Sequence, residues 1–275
     1  MRHFPETRGR RDEVPESQRK GSQMRCLQMT SGDRSAVAAA LGALIEGFGD
    51  VRNSDLWAPK GFREPAEIRL DETQGFLKSA EQRTLLKNWW IAPGLMKVRT
   101  PPWDLVSTCR LGGAPGLMLV EAKAHLSEMN SDPCTANEKR NIGTMRQALD
   151  EATEKWNDLL RAASEAQGWK PRHWIKLVPS CHFELACRLA FALKVAEMGI
   201  PVALVYLGFL RAEELEEQNC ILFRNAEEWR LWLAEKTKQT VPEEIWDSTF
   251  DVNGTPLSVL VRAASVDLPP RNAGG

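Results

Sequence analysis

Gly116-Leu117-Met118-Leu119-Val120-Glu121-Ala122-Lys123-Ala124-His125 is the stretch on which the fold turns. An apolar run is interrupted by two ionisable residues at positions i and i+2. Strand side chains alternate between faces, so Glu121 and Lys123 project from one face, roughly 7 Å apart along the chain. Burying one charge in a sheet is costly, and opposite charges help each other only with good geometry. The bland reading is a salt bridge at a strand end. The functional reading is a site built on the last turns of a core strand.

The residues just upstream supply a partner. Gly112-Gly113-Ala114-Pro115-Gly116 is a turn cluster, and a second apolar run, about Trp103 to Leu111, precedes it. Two short apolar runs around such a cluster predict a β-hairpin. A turn within 112–116 pairs positions whose numbers sum to about 225–228. On an odd sum Asp104 shares the face of Glu121 and Lys123; an even sum needs a bulge, a common feature beside active sites.

Further out, helices and strands alternate. A helix capped by Asp33 or Ser35 is expected to run to about Phe48 and stop at Gly49. Residues 50–70 look irregular, and a second helix fits Thr73 to Trp90, closed by Pro93-Gly94. After a polar loop with Asp132-Pro133, apolar positions at helical spacing from Ile142 to Ala163 predict a long helix over Asn141 to Gln167. Another helix covers Cys181 to Met198. Val202 to Leu210 reads as a strand buried on both faces, followed by a helix near Ala226 to Lys236 and a strand near Leu257 to Ala263. This order is that of an α/β protein with a mixed central sheet flanked by helices.

Composition narrows the class. The chain has 275 residues, 43% apolar and 27% charged, enough for one large domain or two small ones. With 36 basic and 37 acidic residues, no global basic field is present, though a local patch is not excluded. No segment approaches the ~18–20 apolar residues of a membrane span. Six cysteines without a CxxC pair read as reduced thiols of a cytoplasmic protein, not as a disulfide framework or a zinc site. Residues 1–30 are polar and without apolar periodicity, and are expected to be a disordered arm, with Met24 or Met29 an equally good start. Residues 31–267 form the single domain, and 268–275 a flexible tail.

Pro102-Trp103-Asp104, the glycine-rich turn and Glu121-Ala122-Lys123 resemble the PD-(D/E)XK nuclease superfamily, with its restriction-endonuclease-like core. By element order the resemblance covers about residues 70–210; by motif it covers three residues. Trp103 separates Pro102 from Asp104, so the Pro-Asp dipeptide is absent. No other lysine in the chain has an acid two positions before it. The resemblance implies metal-dependent hydrolysis of nucleic-acid phosphodiesters, DNA more than RNA. Asp104, Glu121 and the main-chain carbonyl of Ala122 would then hold Mg2+ or Mn2+, hard cations that prefer oxygen. Lys123 would orient or help deprotonate the attacking water. The rival is a non-catalytic nucleic-acid-binding or scaffold module that keeps the fold.

Other residues carry weaker signals. Family members often add an acid from the preceding helix, and Glu81 lies on the i, i+4 line of Leu77, Leu85 and Trp89. Against this, it would sit at the stripe boundary in solvent. His125 shares the face of Lys123 if the strand continues, though a polar strand end is the simpler role. Lys139, Arg140 and Arg146 form a basic cluster suited to phosphate contacts, and Gln147 lies beside it; a solvated helix face explains them equally. Arg188 either faces the sheet or makes an i, i+4 pair with Glu184, and the pair is favoured. Cys181-His182 reads as a core cysteine beside a histidine. A homodimer would let two sites cut both strands of a duplex. P-loop, GxGxxG and HExxH motifs are absent.

Overall fold

A computed structural model describes residues 21–72, 75–129, 139–180, 182–218 and 220–268. The architecture is α/β, built on a mixed seven-stranded sheet. In chain order the helices are α1 (Gly21–Met29), α2 (Arg34–Leu44), α3 (Ala80–Trp90), α4 (Ile142–Gln167), α5 (Phe183–Glu197) and α6 (Ala226–Thr237). The strands are β1 (Gly49–Asp50), β2 (Trp57–Ala58), β3 (Leu105–Leu111), β4 (Ala114–Lys123), β5 (Val202–Leu210), β6 (Ser248–Val252) and β7 (Thr255–Ser265). The sheet order is β1-β3-β4-β5-β7-β6, with β2 also pairing β3.

The hairpin decides the register. Leu111 pairs with Ala114 and Leu105 with Val120. Gly112 and Gly113 form the two-residue turn, with φ of 55° and 84°. Two positive φ values are what the primed turns of tight hairpins need, and glycine takes them without a Cβ clash. The strand therefore starts at Ala114, inside the expected turn cluster, and the odd register needs no bulge. From β4 the sheet continues parallel, through β5 to β7, where Glu121 lies beside Tyr206 and Lys123 beside Gly208.

Alternation along β4 divides the core. Leu117 and Leu119 point into a cluster with Leu86 and Trp90 of α3, Met145 and Trp156 of α4, Phe191 of α5 and Trp229 of α6. Met118, Val120 and Ala122 point the other way, against Val37 and Leu41 of α2 and Cys26 of α1. Helices thus cover both faces, as parallel strands require. Glu121 and Lys123 belong to the first face, under α5. Among the described residues, no helix is long and apolar enough to cross a membrane.

Three expectations are corrected. The arm does not extend to residue 30: Gly21–Met29 is helical, with Met24, Arg25, Cys26 and Leu27 buried. Its four-residue apolar content is too short for a periodicity signal, and tertiary contacts supply the order. Residues 1–20 lie outside the described set, as do residues 130–138, Cys181 and 269–275; Leu268 itself packs against Met24, Leu27 and Phe62. α2 ends at Leu44, not Phe48. And α3 begins at Ala80, because Ser79 and Gln82 form a reciprocal capping box, so its buried residues are Leu86 and Trp90. The expected stripe was one residue out of phase: Leu85 is exposed.

Candidate active site

The carboxyl end of β4, the start of β3 and the first turns of α5 bring five ionisable side chains together. Glu121 is almost fully buried and carries a cation on each oxygen. Lys123 Nζ donates to Oε1 at 2.5 Å and Arg188 Nε donates to Oε2 at 2.5 Å. Lys123 also donates to Glu184 Oε2 at 2.5 Å, and Arg188 lies 3.6 Å from Glu184 Oε1. The result is a ring of alternating charge on one face of the sheet. Arg188 therefore fills both roles the sequence allowed, facing the sheet and pairing with Glu184 one turn away. Its guanidinium also stacks 4.7 Å from the centre of the Trp103 ring.

Asp104 stands directly before β3, half-buried, and Oδ2 accepts a hydrogen bond from the Ala122 N–H at 2.8 Å. It has no ion pair among the described residues. Three carboxylates, Asp104, Glu121 and Glu184, face two permanent cations, and Asp104 is the uncompensated one. Burial pushes its pKa well above the usual carboxylate range and the charge of Glu121 adds to this, while Lys123, the Ala122 N–H and Arg188 offset only part of it. For Glu121 burial works in the same direction, but Arg188 and Lys123 outweigh it and hold the carboxyl well below its ordinary value. Burial alone would lower Lys123; Glu121, Glu184 and Asp104 reverse that and keep the ammonium firmly protonated.

Two acids join this group that sequence reading did not put there. Glu184 is raised by burial and by Glu121. Glu67 is raised by burial and feels Arg188, Glu121 and Lys123. It belongs to the irregular segment whose neighbour Ile68 makes a two-way backbone bridge with Trp103, next to Asp104. No periodicity marks Glu67, so no sequence signal could place it. Glu184 was visible only as the i−4 neighbour of Arg188.

The other candidates disperse. Glu81 is exposed in the first turn of α3, where its backbone N–H donates to Ser79 Oγ. His125 falls beyond the end of β4, bridging to Leu222, with Nε2 3.5 Å from Glu128 Oε1. Lys139, Arg140, Arg146 and Gln147 are exposed around the start of α4. Glu128 ties the strand end to the first helix, accepting from Ala124 N–H at 2.5 Å and Ser22 N–H at 3.3 Å. Cys26, Cys109 and Cys187 are buried and form no disulfide among the described residues.

The donor chemistry suits a hard divalent cation in part. Asp104 is an oxygen ligand with no cationic neighbour bonded to it, and each Glu121 oxygen keeps a second lone pair beside its hydrogen bond. Among the described residues, no three His, Cys, Asp or Glu side chains lie close enough to share one ion. Main-chain oxygen, such as that of Ala122, and water would complete the shell. No family model, curated protein or solved structure matches the chain.

Proposed function

We propose that this protein is a metal-dependent nuclease of PD-(D/E)XK type, with a restriction-endonuclease-like core, hydrolysing nucleic-acid phosphodiesters and preferring DNA. The observation that carries this reading is Asp104. A half-buried carboxylate with a raised pKa and no ion-pair partner among the described residues, on the face of Glu121 and Lys123, is a charge that a divalent ion would neutralise. Asp104, Glu121 and the Ala122 carbonyl would hold Mg2+ or Mn2+. When bound, such an ion supplies Lewis acidity toward the phosphoryl oxygens and toward water.

The chain's own residues divide the remaining work. Lys123 is held protonated, so it acts as a donor, orienting the attacking water or a phosphoryl oxygen, and not as the base. Glu184 offers Lys123 a second acceptor, which lets the ammonium turn from Glu121 without losing its counter-charge. Arg188 keeps Glu121 ionised and oriented. Lys139, Arg140 and Arg146 are exposed and suited to backbone phosphates. Cutting both strands of a duplex would call for a homodimer.

A second reading has an observation of its own. Both Glu121 oxygens are already bonded to cations, which is also how a purely structural network looks. A non-catalytic nucleic-acid-binding module would keep it. Incubating plasmid, single-stranded DNA and RNA with Mg2+ or Mn2+ separates the two. Metal-dependent cleavage by the wild type that falls at least ~100-fold in Asp104→Ala and Lys123→Ala is expected. Equal cleavage by all three proteins, or binding without cleavage, contradicts the nuclease.

A further inference from the structure

Beside the charge ring, residues of β4 and β5, the start of α5 and the last turns of α6 line a cleft. We propose that this cleft is a nucleobase subsite, which takes one unstacked base of the strand being cut. The proposal rests on the nuclease reading for its biological substrate, but the binding chemistry stands by itself.

The walls are apolar: Met129, Leu185, Leu233, the Trp229 indole and the Tyr206 ring. The glycine at 208 makes this wall. A Cβ there would lie 2.5 Å from Trp229 ring atoms, so only glycine seats the indole against β5, next to Lys123. Tyr206 is 3% exposed and Trp229 1% exposed, yet Tyr206 Oη and Trp229 Nε1 have no hydrogen-bond partner. Buried polar groups normally have one, so these two residues of the cleft wall each carry a donor that a ligand acceptor could satisfy.

Charge selects the ligand class. Glu121 and Glu184 line the cleft, and so do Lys123 and Lys236. His182 is held below the usual imidazole range by burial and by Lys236, so it is neutral at pH 7. Two carboxylates against two ammonium groups leave no field to hold a bare phosphate, and apolar walls disfavour one. A cation would leave the indole and phenol donors unpaired. A neutral, flat, acceptor-rich group satisfies all three conditions, and a nucleobase is the part of a nucleic acid that has them. A base in a duplex cannot reach such a cleft without leaving the stack, so single strands and frayed ends become the favoured substrate.

The test is calorimetric titration of the full chain, without metal, with thymidine, adenosine and inorganic phosphate. Saturable binding of the nucleosides and none of phosphate is expected. Tyr206→Phe removes an unpaired hydroxyl, so it should raise the thermal midpoint of the free protein while weakening nucleoside affinity about five- to tenfold. Leu233→Trp should fill the cleft and abolish binding, with circular dichroism confirming the fold. Nucleoside affinity unchanged in both variants, or phosphate bound in preference to nucleosides, or no saturable nucleoside binding, overturns the subsite. A protein that cleaves DNA but fails this titration loses only the subsite; one that binds nucleosides and cleaves nothing loses only the nuclease.

Discussion

Asp104 and Glu121 sit on the same face and are driven in opposite directions. Glu121 is buried with two cations on it and stays ionised; Asp104 is half-buried with one backbone N–H on it and resists ionisation. The proposed metal site would need both charged, which would make Asp104 a place where stability is given up for activity. Asp104→Asn keeps an acceptor for the Ala122 N–H and removes the unbalanced charge. It should stabilise the metal-free protein by about 1 kcal/mol at neutral pH while abolishing cleavage. The sign follows from linkage: a carboxyl whose folded pKa is raised costs stability as pH rises from its unfolded value through its folded one. Urea midpoints of the two proteins should therefore converge below roughly pH 4 and separate above it. Glu121→Gln goes the other way. It leaves Lys123 and Arg188 to share the Glu184 carboxylate beside a neutral amide and should cost about 3 kcal/mol by denaturant titration.

The hairpin carries the site, and its existence could be read in the sequence from a glycine pair between two apolar runs; the sequence left the register open, and the structure has the odd sum that places Asp104 beside Glu121. The long helix over 142–167 and β5 over Val202–Leu210 were equally plain, the first from apolar positions at helical spacing over many residues, the second from an unbroken apolar run. α3 was misread because a weak stripe through Leu77 and Leu85 competed with the stronger cap at Ser79-x-x-Gln82. That error is what raised Glu81 to a candidate. β1 and β2 are two residues long and exist only through pairing with β3, so no local pattern encodes them. Glu184 and Glu67 reach the site through tertiary packing, which one-dimensional periodicity does not carry. At this scale Gly208→Ala is the informative change. The added Cβ meets the Trp229 ring, so overpacking should cost about 1–3 kcal/mol, seen as a lower denaturation midpoint.

Across the whole molecule, the two sheet faces have separate tasks. One carries four helices, the charge ring and the cleft; the other is closed by α2 and by α1, whose Arg25 makes a bidentate pair with Glu214 and whose Cys26 lies near Asp104. α1 is thus part of the wall behind the site. A chain starting at Met29 loses Met24, Arg25 and Leu27 from the core and should unfold at clearly lower denaturant, by about 3 kcal/mol or more. A truncation at Met29 with unchanged stability would contradict this packing. The central claim is that Asp104 and Glu121 form a divalent-ion site, and electron paramagnetic resonance of Mn2+ reads it directly. Titrating the wild type should remove one equivalent of Mn2+ from the free-ion signal, and Asp104→Asn should leave that signal untouched. Equal Mn2+ uptake by both proteins, or none by the wild type, would contradict the account.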